Sequence, residues 1–119
     1  MDPLSDKKDM LDSRIVNALR ACSDALQRQC PNVVAELILF GSQATGHAAP
    51  ESDVDVLALV EEDISPEMKK TIHDTVYEVS LDFDVVISVL ITTRRQWDSP
   101  VTQLLPIYRN IAKEGIRVA

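Results

Sequence analysis

The spacing of apolar residues changes along this chain, and each change marks an element. Between residues 5 and 30, Met10, Leu11, Ile15, Leu19, Cys22 and Leu26 recur at steps of three and four, which predicts one amphipathic helix ended by Pro31. Residues 33–40 (VVAELILF) are aliphatic and β-branched, bounded by Pro-Asn and Gly, and read as a buried strand. Residues 41–52 are small and turn-forming, and residues 53–60 (DVDVLALV) read as a second strand. Ser65, Pro66 and Glu67 make a helix start: a side-chain cap, a proline at the first helical position, and an acid at the positive end. Met68, Ile72, Val76 and Val79 give that helix its buried stripe. Residues 82–91 (DFDVVISVLI) are expected to form a third strand. Thr92 or Thr93 then caps a short helix through Trp97. Pro100 interrupts, residues 101–114 form a last helix bent at Pro106 and stopped by Gly115, and residues 116–119 add an edge strand. This order predicts a single domain over residues 1–119, of the α/β (α+β) class, with helices packed on one side of a small mixed sheet.

Composition narrows the functional classes. Apolar residues make up 45% of the 119 residues and aromatic ones only 4%, so the core is aliphatic. The net charge of −7 argues against autonomous binding of nucleic acid, which needs cations to displace counterions from phosphates. No apolar run is long enough to span a membrane. The charged opening MDPLSDKKDM is unlike a secretory leader, so a cytoplasmic protein is expected. Cys22 and Cys30 are too few for a disulfide scaffold and match no zinc spacing; Cys22 falls on the apolar face of the first helix, as a buried thiol.

The chemistry concentrates between residues 39 and 60. Strand side chains alternate, so Asp53 and Asp55 share one face while Val54 and Val56 share the other. Two like charges placed that way repel each other, and a divalent cation resolves the conflict. Carboxylates are hard ligands suited to Mg²⁺, which completes its shell with water and substrate phosphates. Gly41 and Ser42 directly follow the first strand; glycine permits close backbone approach, and a helix opened by Ser42 presents free N–H groups to an anion. A phosphate cradle beside a metal site points to nucleoside triphosphate chemistry. Asp82 and Asp84 share a face of the expected third strand, and either would complete a three-carboxylate cluster. Such a cluster holds two metals about 4 Å apart or supplies a general base. Other polar features have plainer readings: Glu61, Glu62 and Asp63 as a solvated turn, His73 as solvated, Tyr108 and Arg109 as helix surface, and Trp97 as packing or an interface anchor.

Gly41-Ser42, ten residues, then Asp53-Val54-Asp55 is similar to the G-S-x10-D-x-D signature of the DNA polymerase β-like nucleotidyltransferases. The small size resembles the minimal nucleotidyltransferase (MNT) group, and the likeness continues through ILFGS, SDVDVLALV and IYRNIAKEGI, covering residues 33–116. The resemblance implies that Gly41 and Ser42 contact the triphosphate and that Asp53 and Asp55 bind metal. It implies that Asp84, followed by Val-Val-Ile, is the third metal-binding and catalytic carboxylate, with Asp82 the fallback. Gln43 and Thr45 stand where members of the group often carry arginines, and His47 offers a partial substitute.

The resemblance further implies a transferase that moves a nucleoside monophosphate, AMP from ATP, onto a hydroxyl, with two Mg²⁺ ions as cofactors. With no separate acceptor-binding domain expected, the acceptor is brought by another protein. Minimal proteins of this kind resemble the antitoxin half of HEPN/MNT toxin–antitoxin pairs, which makes a HEPN-type protein the expected partner; a homo-oligomer is also compatible. The alternative is a non-catalytic MNT-like module that silences its partner by complex formation. A response-regulator receiver domain, another acidic Mg²⁺-binding class of this size, is excluded because Phe40-Gly41-Ser42 stands where its acidic pair belongs and the chain opens on a helix.

Overall fold

The computed structural model describes residues 1–46 and 53–119. A two-residue strand β1 (Asp2–Pro3) leads into α1 (Leu4–Lys7) and a 3-10 turn (Lys8–Met10). Then follow α2 (Ser13–Gln29), β2 (Val34–Phe40), α3 (Ser42–Thr45), β3 (Val54–Val60), α4 (Pro66–Phe83) and β4 (Ile87–Thr93). The chain closes with α5 (Arg94–Trp97), α6 (Pro100–Gln103), α7 (Pro106–Glu114) and β5 (Ile116–Arg117).

The five strands form one mixed sheet in the order β1-β5-β2-β3-β4. β2 and β3 run antiparallel with Phe40 opposite Asp55, and β3 and β4 run parallel with Asp55 opposite Ser88. The expected α+β class is therefore what forms. The two long helices, α2 and α4, share one face of the sheet, where Leu37, Leu39, Val54, Val56, Ala58 and Ile87 join their buried stripes in one aliphatic core. The expectation of one-sided packing holds for these two only. Ile38, Leu57 and Leu59 make the opposite face apolar as well, and Ile111 of α7 and Trp97 of α5 cover it.

Three expected elements differ in detail. The first helix is broken at residues 11–12, because Asp12 accepts a hydrogen bond from the Arg14 N–H (2.8 Å) and starts a new helix. The last helix is two short ones, each with a proline at its start, separated by Leu104 and Leu105. The C-terminal strand is not at an edge, since β1 adds outside it.

The largest correction concerns the third strand. Residues 82–83 belong to α4, Asp84 ends that helix in the left-handed conformation (φ 52°), and β4 begins only at Ile87. The turn is fastened by Ser80, whose buried hydroxyl donates to the Val76 carbonyl (3.0 Å) and accepts from the Ile87 N–H (3.3 Å). Replacing it leaves a buried donor unpaired. Ser80→Ala is predicted to lower unfolding free energy by about 1–3 kcal/mol in a denaturant titration; a change within error would show that the Ile87 N–H finds another partner.

Candidate active site

Gly41 sits between the end of β2 and the start of α3 with φ 76° and ψ −159°, a region that only glycine occupies without strain. The register places Asp55 across from Phe40, so its side chain lies against this bend. A Cβ on Gly41 would stand 2.5 Å from Asp55 Oδ2. The glycine is thus required twice, by its backbone angle and by the carboxylate that occupies the space of a side chain. The turn that follows is closed by the Ala44 N–H donating to the Gly41 carbonyl (3.1 Å) and by the Thr45 hydroxyl donating to the Ser42 carbonyl (3.1 Å).

Asp53 is exposed immediately before β3 and Asp55 is half-buried one pleat later. Burial raises the Asp55 carboxyl above its usual range, and the neighbouring Asp53 charge raises it further. Among the described residues neither carboxylate has a cationic partner. At the opposite end of the sheet the treatment of acids is different. Arg94 grips Glu36 (2.9 Å) and Glu61 (3.1 Å), and Arg95 approaches Asp63 at 3.5 Å.

The structure therefore brings Asp53, Asp55, Gly41 and Ser42 to one end of the sheet. It does not present Asp82 or Asp84 from a strand, and among the described residues no three acidic, histidine or cysteine side chains lie close enough to hold one ion. Asp84 does fall at the same end of the sheet, two residues before Val86, whose carbonyl accepts from the Val54 N–H (2.8 Å). His47 lies outside the described residues. Two groups that no motif revealed are Lys7 and Lys113. Although far apart in sequence, both line a cavity of about 440 Å³ with Ala44, Thr45 and Gly46 at the far end of α3. Cys22 is fully buried, its thiol pushed up to about 12 by that burial, and takes no part in the site.

The donor set suits a hard divalent cation: two carboxylates with no competing cation among the described residues, one of them raised by burial and by its neighbour's charge. Mg²⁺ commonly binds through one or two carboxylates and substrate phosphates, so the absence of a third ligand among the described residues is no obstacle.

The chain belongs to the nucleotidyltransferase domain family, whose model matches residues 19–117. The enzyme class expected from the signature is the class of that family. Two relatives from Methanocaldococcus jannaschii, each bearing the name of a proposed protein adenylyltransferase, are similar to it. MJ0141 is 46% identical over 55 residues, which is 46% of this chain and 56% of that protein. MJ0604 is 26% identical over 98 residues, 82% of this chain and 91% of that protein. The MJ0141 match thus spans little more than half of that relative's length. Among solved structures, a toxin–antitoxin crystallised with AMP-PNP superposes with a TM-score of 0.58 at 15% identity, over 83% of this chain and 70% of that one. The toxin–antitoxin MntA–HepT gives 0.52 at 13% identity, over 85% and 68%. These two matches establish the shared fold.

Two predictions follow from the geometry. Gly41→Ala is expected to destabilise the chain by about 1–3 kcal/mol. Adding Asp55→Ala to it should return the part due to collision and leave the part due to the backbone angle, a coupling read from a double-mutant cycle in denaturant; strict additivity would place the Asp55 carboxylate elsewhere. The second concerns pH. Because folding raises the Asp55 carboxyl, the folded state holds that proton more tightly than the unfolded chain does. Metal-free stability therefore falls as pH rises from about 3.9, the unfolded aspartate value, through the raised folded one. Asp55→Asn removes this loss. Without metal it should be the more stable protein at pH 7, by no more than about 1 kcal/mol for a half-exposed group. The gain should vanish in acid; thermal melts at both pH values check the sign.

Proposed function

We propose that this chain transfers a nucleoside monophosphate, AMP from ATP, to a hydroxyl on a partner protein, with Asp53 and Asp55 as the Mg²⁺ ligands. The observation that supports this most is the contrast between the two ends of the sheet. Glu36 and Glu61 are neutralised by Arg94, whereas Asp53 and Asp55 stand together without a counter-charge among the described residues at the Gly41 bend. Uncompensated like charges cost stability, and a site kept at that cost fits a ligand that supplies the positive charge.

In this reading Asp53 and Asp55 would hold Mg²⁺ (two ions in the full proposal), which would supply positive charge to the triphosphate. The chain's own groups do the rest. Gly41 and Ser42 hold the β- and γ-phosphates, the missing Cβ of Gly41 leaving room for the Asp55 carboxylate beside them. The acceptor oxygen attacks the α-phosphorus, the bond to pyrophosphate breaks, and the hydroxyl proton passes to a carboxylate. Asp84 is proposed for that role alone, since it matches the signature and falls at the same end of the sheet. Positioning and charge neutralisation carry the rate.

The names of the two Methanocaldococcus jannaschii relatives support a protein acceptor, and the toxin–antitoxin structures sharing this fold support a toxin as that acceptor. We place the chain as the antitoxin of a HEPN/MNT pair, acting in the cytoplasm. Incubation with ATP, Mg²⁺ and its HEPN-type partner should release pyrophosphate and add one AMP in mass to the partner. Asp53→Asn or Asp55→Asn should slow this by at least about 100-fold, and Asp84→Asn by a comparable factor. If wild type and Asp55→Asn silence the partner equally with no mass added, the chain acts by complex formation alone.

A further inference from the structure

The sheet around the Asp55 carboxylate is apolar on every side but one. Across β2 its neighbour is Phe40, and one pleat further along β3 is Leu57. On the remaining side, β4 runs parallel to β3 with Ser88 in register with Asp55. The two side chains therefore leave the same face of the sheet from adjacent strands, about 4.8 Å apart. Val86 and Leu90, two residues to either side of Ser88, share that face.

Exposure does not account for a serine at this place. Val86 and Leu90 are 60% and 44% exposed and are apolar all the same. Nor does the hydroxyl serve the fold. Of the three hydroxyl side chains in β4, Thr93 accepts from the Gln96 N–H (3.1 Å) and caps α5, and Thr92 donates to Gln96 Oε1 (3.3 Å). Ser88 is exposed, and its hydroxyl has no hydrogen-bond partner among the described residues.

We infer that Ser88 is the third protein group of the cation site, a neutral hydroxyl that hydrogen-bonds to a water of the ion held by Asp53 and Asp55. This rests on the proposal that those two carboxylates bind the cation. Charge and reach both suit a hydroxyl here. A third carboxylate beside Asp55 would add repulsion to a pair that has no cationic partner among the described residues. One strand spacing is more than a serine side chain crosses, but Mg²⁺ keeps several of its waters, and a water spans the gap. Groups that bind a metal's shell in this way orient what the metal holds. Asp84 is then left to the acceptor proton alone.

Mn²⁺ titration of the full chain without nucleotide, followed by electron paramagnetic resonance of the free ion, tests this. Ser88→Ala should weaken Mn²⁺ binding about tenfold, as loss of an orienting group does, and Ser88→Thr should retain it. Ser88→Asp places a carboxylate within reach of the ion and should tighten binding at least about tenfold, a gain that misfolding cannot produce. Leu90→Asp adds the same charge two residues further along the same exposed face and should change the affinity less than about threefold. If Mn²⁺ does not bind, or binds equally well with Asp53 and Asp55 both replaced by Asn, the cation-site reading fails and this inference with it. If binding needs both aspartates, three results overturn the inference alone: Ser88→Ala titrating like wild type, no gain from Ser88→Asp, or an equal gain from Leu90→Asp.

Discussion

The arrangement at the working end of this molecule depends on one close approach, that of the Asp55 carboxylate to the backbone at Gly41. The β2–β3 register sets it, since Phe40 opposite Asp55 leaves the residue after β2, Gly41, against the carboxylate. A side chain at position 41 would displace either the bend or the acid. Because the bend opens α3 and the acid opens β3, moving either one separates the phosphate-facing turn from the metal-facing strand. The sheet itself is held by other means. The aliphatic cluster under α2 and α4 makes β2 and β3 rigid neighbours, and this rigidity lets so short a turn be placed with accuracy.

Electrostatics divides the sheet into a finished end and an unfinished one. Where β2 begins and β3 ends, Arg94 reaches from α5 to two glutamates, and the guanidinium fork satisfies both. Where β2 ends and β3 begins, two aspartates face each other's charge with no cationic partner among the described residues. Burial and repulsion both push Asp55 toward its neutral form, so the chain loses stability there unless something cationic arrives. That division is local chemistry read from side chains, and it agrees with the family match over residues 19–117 without depending on it.

Much of this was legible in the sequence, and the failures have physical causes. The Gly41-Ser42 turn and the Asp53-Asp55 strand were readable because a period of two and a glycine before a helix start each leave a fixed trace. The α4 start at Ser65-Pro66 was equally plain, and the Ser65 hydroxyl does accept from the Met68 N–H (3.1 Å). The end of α4 was not. Leu81-Asp82-Phe83-Asp84-Val85 alternates as a strand does, but Leu81 is exposed on the helix, and the helix closes on an aspartate in the left-handed conformation instead of on glycine. The break before α2 was hidden because the three-four spacing of apolar residues runs through it, although Met10 proves exposed. Lys7 and Lys113 left no trace at all, since only the closing of the two chain ends around β5 brings them to one cavity.

The central claim is that the unfinished end of the sheet is a cation site. Paramagnetic broadening by Mn²⁺, substituted for Mg²⁺ in the presence of a nonhydrolysable ATP analogue, tests it residue by residue. The account predicts loss of amide signals at Gly41, Ser42, Asp53, Val54 and Asp55. Signals from Glu36 and Glu61, already paired with Arg94, should persist. Broadening centred on the Glu61–Asp63 turn, or none at Gly41, would contradict it.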